Sequence, residues 1–196
     1  TFFYAGKFPF ASGTFGSLIA IILVAIIFYQ PHNFYYDDTG LNFKLGAGYI
    51  EPQLIIPLIN ILAILFSTLG IYTSEIYSKK INKEDPKQIV IDEVAGIFVA
   101  SALVADIFAI LYFINPTEYL IYFSLAGWFF IIIFILFRIF DILKPWHIGY
   151  ADKNIKGGLG IMLDDIIAGI YTALTFFILF FVAKFSNILE IFITIE

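Results

Sequence analysis

Two short motifs place adjacent carboxylates beside apolar runs: "IDEVAG" holds Asp92 and Glu93, and "LDDIIAG" holds Asp164 and Asp165. A single acidic pair at a helix start has a plain explanation, because unpaired N–H groups and the helix dipole favour negative charge there. Two pairs, each followed by Ala-Gly, ask for more. Gly96 lies four residues after Asp92 and Gly169 four after Asp165, so each glycine shares a helix face with its acid. Small residues let another helix approach closely. Two tightly packed helices that bring carboxylates to one place create like-charge repulsion, which a divalent cation relieves. Oxygen ligands without thiolate or imidazole suit Mg²⁺, Mn²⁺ or Ca²⁺.

A third acidic motif, "FDILKPW", carries Asp141. Arg138 precedes it by three residues, so the two share a helix face. Either they form a local ion pair, or Asp141 stands beside the metal while Arg138 faces an anion. Two glycine-rich segments favour an anion. "YAGKFPFASGTFGSL" (4–18) brings Gly6, Gly13 and Gly16 together with Ser12, Thr14 and Ser17, and "KNIKGGLG" (153–160) places lysines before glycines. Free N–H groups at such a helix start bind anions. No Gly-Lys-Ser/Thr follows at P-loop spacing. Carboxylates, a hard metal and an anion pocket together describe metal-assisted phosphoryl chemistry.

The elements that position these groups are apolar. The 196 residues are 61% hydrophobic and 14% charged, against about 25% charge in a soluble domain. The chain reads as an all-α polytopic membrane bundle, a single domain over 1–196, with the acidic site at its cytoplasmic face. Five helical runs are expected, at about 14–29, 53–77, 88–114, 118–143 and 164–183. The first is short for a span, which needs about 20 residues, and is expected to tilt or to lie partly inside the bundle. Residues 115–117, "NPT", form a tight turn. If all five runs span, Lys7, Lys79, Lys80, Lys83, Lys87, Arg138, Lys144, Lys153 and Lys156 fall on one side, and Lys44 and Lys184 on the other. That bias makes the first side cytoplasmic and gathers all three acidic motifs there. A lipid phosphate is then the natural substrate.

Other classes fall away. Net charge is −5, with no basic stripe for nucleic acid. Cysteine is absent and only His32 and His147 are present, which removes Cys-x5-Arg catalysis and disfavours a histidine nucleophile. No cleavable signal peptide is expected; with Thr1 first instead of Met, an N-terminal piece is expected to be missing. Glu75 and Lys79 read as a structural i, i+4 pair, and Asp106 is given no chemistry. Two other classes stay open on the residues alone: a transporter or channel with an acidic cation site, and a non-catalytic membrane partner.

"ASGTFGSL", "IVIDEVAG" and "FRIFDILKPWHIGYADKNIKGGLGIMLDDIIAGIY" resemble the three signature blocks of the phosphatidylglycerophosphatase A family. Ser12 stands where the family usually has Pro, and its earlier Gly-x-Gly is reduced to "YAG". The resemblance implies Mg²⁺-dependent hydrolysis of phosphatidylglycerophosphate to phosphatidylglycerol and phosphate, in a bacterial inner membrane, on the route to cardiolipin. By motif position it implies an acidic centre of Asp92, Glu93, Asp164 and Asp165, with Asp141 and Lys144 beside it and Thr14 in the Gly-Thr block. Glu93, Asp164 and Asp165 are expected to ligate the metal, with Asp92 as a fourth ligand or a water-orienting base. Lys144, Lys156 and Arg138 are expected to face the phosphate. The sequence sets no oligomeric state.

Overall fold

Long runs of Leu, Ile, Phe and Ala in a membrane satisfy their own backbone only as helix. A computed structural model describes residues 11–28, 52–84, 86–115 and 126–186, with Gly6 and the strand residues 34–35 and 44–45. In chain order the helices are α1 (Ser12–Phe28), α2 (Pro52–Ile81), α3 (Ile91–Ile114), α4 (Ala126–Leu143), α5 (His147–Asn154) and α6 (Gly157–Phe185). Between α1 and α2, β1 (Phe34–Tyr35) and β2 (Lys44–Leu45) pair antiparallel, Phe34 opposite Leu45.

Among the described residues, three helices are long and apolar enough to cross a membrane: Ile55–Ile81 of α2, Ile91–Leu111 of α3, and α6. Helix α1 has 17 residues and the described α4 has 18. The expected start of the fourth run (118–125), turn residues 116 and 117, Lys7, His32 and the tail after 186 lie outside the described residues. Helix α5 replaces part of an expected loop. It exists because Ile148 and Ala151, three apart, both bury their side chains against the bundle.

Helix α3 is the hub and packs most extensively on α6, then on α2 and α1. The α3–α6 crossing falls on the two glycines singled out by spacing. A Cβ on Gly96 would lie 2.6 Å from the Asp165 carbonyl and against the Phe137 ring, and one on Gly169 would strike the Gly96 carbonyl. Backbone touches backbone here, which only glycine permits. Farther along, Phe108, Phe129, Phe176, Phe177 and Phe180 close the bundle with mostly edge-to-face rings; Phe108 and Phe180 centroids are 5.1 Å apart.

Asp106 acquires a partner in the fold. Asn60 Nδ2 of α2 donates to Asp106 Oδ1 of α3 at 2.7 Å. Interhelical hydrogen bonds inside membranes average about 0.6 kcal/mol, with a maximum near 1.7. Asn60→Leu strands the Asp106 carboxyl, so a loss at the upper end of that range is expected in detergent unfolding. Asn60→Leu combined with Asp106→Leu is expected to recover most of it.

Candidate active site

Helix α3 starts at Ile91 and carries Asp92 and Glu93 in its first turn, as their spacing led one to expect. Asp164 and Asp165 differ. Helix α6 starts at Gly157, so they lie two turns inside it. The reason is the Gly-Gly step. Gly157 takes a φ of +73°, which glycine adopts at little cost, and Gly158 sits so close to α2 that a Cβ would strike the Ile71 carbonyl. The glycines of "KNIKGGLG" therefore build a helix start against a neighbour. Their N–H group at Gly158 donates to the Glu75 carboxylate, not to an open anion pocket.

Three carboxylates converge. One oxygen each from Asp92, Glu93 and Asp165 lies within 4.8 Å of the others. Asp165 is 4% exposed and Asp164 7%. Asp164 points elsewhere because successive helical residues do not share a face; its Oδ2 accepts from Lys144 Nζ at 2.6 Å. Among the described residues, Glu93 Oε2 and Asp164 Oδ1 are buried with no hydrogen-bond partner. Hard anionic oxygens, clustered and with lone pairs left over, are the donor set that a hard divalent cation fits. All four acids line one cleft of about 290 Å³, together with Asp141, Lys144 and Lys156.

Lys144 is held between two acids, with Asp152 Oδ1 at 2.5 Å and Asp164 Oδ2 at 2.6 Å. Burial pushes its pKa down, but the hydrogen bonds to Asp152 and Asp164 outweigh burial and leave it above the ordinary lysine value. It is a fixed cation at any physiological pH. Lys144 and Trp146 both have a φ of +44° around Pro145, a region that non-glycine residues rarely adopt. This turn sends the Lys144 ammonium into the cleft while Trp146 stays 82% exposed. Lys156 stands at the cleft edge, paired with Glu84 at 2.7 Å.

Arg138 forms the local pair with Asp141 and also faces the site. Its Nη1 donates to Ser17 Oγ at 3.3 Å, and Ser17 Oγ donates to the Gly13 carbonyl at 2.9 Å. The local ion pair is thus formed, and Arg138 and Asp141 both line the cavity beside the acidic centre. Gly13 is pressed on Glu93, where a Cβ would collide with Oε1, so the first turn of α1 forms a wall of the acidic centre. Thr14 lines a second, adjacent cavity of about 720 Å³, which shares Ser12, Lys87, Glu93 and Asp141 with the first. Thr14 and Arg138 line only that second cavity. Sequence reasoning missed Asp152 and Glu84, and placed Ser17 in the anion segment without its Arg138 contact. Asp152 and Glu84 became partners only through the fold.

At one end of an apolar bundle, three carboxylates converge beside a clamped ammonium, an arrangement that suits phosphoryl chemistry. The sequence signature described as Phosphatidylglycerophosphatase A matches residues 1–180. The chain belongs to the phosphatidylglycerophosphatase A family. A Bacteroides thetaiotaomicron protein, provisionally named a phosphatidylinositol-3-phosphatase, is 34% identical over 188 residues, covering 94% of this chain and 90% of its own length. Phosphatidylglycerophosphatase A of Escherichia coli is 29% identical, covering 87% of this chain and 75% of its own length. That of Haemophilus influenzae is 31% identical, covering 67% and 72%. No solved structure matches.

Proposed function

We propose that the protein hydrolyses phosphatidylglycerophosphate to phosphatidylglycerol and inorganic phosphate, with Mg²⁺, at the cytoplasmic face of a bacterial inner membrane. The observation that carries this reading is the convergence of Asp92, Glu93 and Asp165 within 4.8 Å in a cleft that also holds Lys144. Asp92, Glu93 and Asp165 would hold the metal, with Asp164 Oδ1 free to join them. When bound, the ion would neutralise the clustered charge and polarise a phosphoryl oxygen.

The chain's own groups do the rest. Lys144 donates to a phosphate oxygen while Asp152 and Asp164 keep its ammonium fixed, so the donor needs no reorganisation as charge develops. Lys156 meets the incoming phosphate at the cleft edge. Asp92 orients the attacking water. The water oxygen bonds to phosphorus, the phosphorus–alcohol oxygen bond breaks, and a proton ends on the leaving alcohol. Arg138 and Thr14, in the second cavity, face the alcohol side of the lipid. The product, phosphatidylglycerol, feeds cardiolipin synthesis.

A second reading rests on the Bacteroides relative: an inositol lipid monophosphate as substrate. The second cavity favours keeping it, because about 720 Å³ leaves room for a ring as well as for glycerol. Phosphate release from each lipid by the detergent-purified protein tests both. Release from phosphatidylglycerophosphate that stops with EDTA and returns with Mg²⁺ is expected. A rate unchanged by EDTA removes the metal from the reading. Release only from the inositol lipid replaces the first substrate with the second.

A further inference from the structure

The geometry points to Glu75 of α2 as a positioning residue for the acidic centre: its carboxylate caps the start of α6 and thereby fixes where Asp164 and Asp165 sit against Asp92 and Glu93. Glu75 lies outside the glycine block, both acidic motifs and the Lys144 turn. Its Oε2 accepts the Gly158 N–H, while its Oε1 pairs with Lys79 at 2.7 Å. Gly158 has no room for a Cβ beside Ile71 and Glu75. One turn on, the fully buried Met162 fills the space over Gly70, and Ser74 Oγ donates to its sulfur at 3.9 Å.

Residues 70–75 of α2 are thus a socket for the first two turns of α6. The Glu75 hydrogen bond is its only directional contact to the α6 backbone among the described residues. The register matters because α6 rises about 1.5 Å and turns about 100° per residue. A slip of one residue at the socket would swing the Asp165 carboxylate off Asp92 and Glu93. The first turn of a helix also leaves N–H groups without partners. A carboxylate from another helix is a strong acceptor for one of them, and it ties α6 to α2 where side-chain packing alone would let it slide.

The activity arm of the test rests on the phosphatase reading; the exchange arm does not. Glu75→Ala, Glu75→Gln and Lys79→Ala are compared in the full-length protein in detergent. Glu75→Ala is expected to lower kcat by about 10- to 100-fold, the cost of misplacing catalytic groups by an ångström or so, with KM for the lipid little changed. Amide exchange over 157–163 rises, while that over 170–185 does not. Glu75→Gln keeps an acceptor for Gly158 and restores both readouts to near wild type. Lys79→Ala leaves both unchanged. Wild-type exchange over 157–163 in Glu75→Ala overturns the proposal. So does an equal loss in all three variants, which would make the charge pair the operative contact. If the wild type releases no phosphate, the phosphatase reading fails and the exchange comparison still decides the socket.

Discussion

Asp165→Asn is expected to release phosphate at least about 100-fold more slowly than wild type, as for loss of one preorganised charge-stabilising group, while its unfolding temperature in EDTA rises. The two effects share a cause. Asp165 is 4% exposed and offers an oxygen within 4.8 Å of oxygens from Asp92 and Glu93. Like charges held that close destabilise the fold unless a cation sits among them. Asparagine keeps the shape and removes one of the charges, so the metal-free fold gains while metal affinity falls. Adding Mg²⁺ should therefore raise the wild-type unfolding temperature more than that of the variant. A variant destabilised in EDTA, or one that gains as much from Mg²⁺ as wild type, would show that the three carboxylates do not share a cation.

Gly96→Leu is expected to lose about 3 kcal/mol, the upper end of the usual cost of overpacking, and most of the purified folded protein with it. Its Cβ would sit 2.6 Å from the Asp165 carbonyl and against Phe137, where neither the backbone nor a fully buried ring can yield. Gly127→Ala is the matched control. Nothing lies within 4 Å of a Cβ there, so the change should be neutral or add up to about 1 kcal/mol of helix propensity. Detergent unfolding followed by circular dichroism separates the two. Equal stability for both variants would mean that α3 and α6 do not cross at Gly96.

The acidic motifs were legible because their chemistry is local in the chain. Asp92–Glu93 and Asp164–Asp165 each sit three to five residues from a glycine, and that spacing alone foretold a close crossing. The start of α6 was not legible. "KNIKGGLG" looks like a flexible anion loop until α2 is placed beside it, since what turns Gly157 and Gly158 into a helix start is contact with Ile71 and Glu75. Lys144 read as a phosphate donor, yet the acids that hold it, Asp152 and Asp164, lie 8 and 20 residues away. Of the expected runs, three are long and apolar enough to span among the described residues, and the start of the fourth lies outside them. Tertiary pairing leaves no trace in hydrophobic periodicity.

The aromatic cluster around Phe108 has a consequence for descent. Phe108 lies sixteen residues beyond Asp92 on α3, about 24 Å along the axis. The aromatic cluster thus packs one end of the bundle, well away from the acidic centre at the other. Packing among these rings adds stability that does not depend on the groups lining the cavities. Residues around the second cavity can therefore be exchanged, generation by generation, while the scaffold beneath them stays intact. Relatives named for a glycerol lipid and for an inositol lipid, each about a third identical to this chain, are the kind of divergence such a division of labour permits.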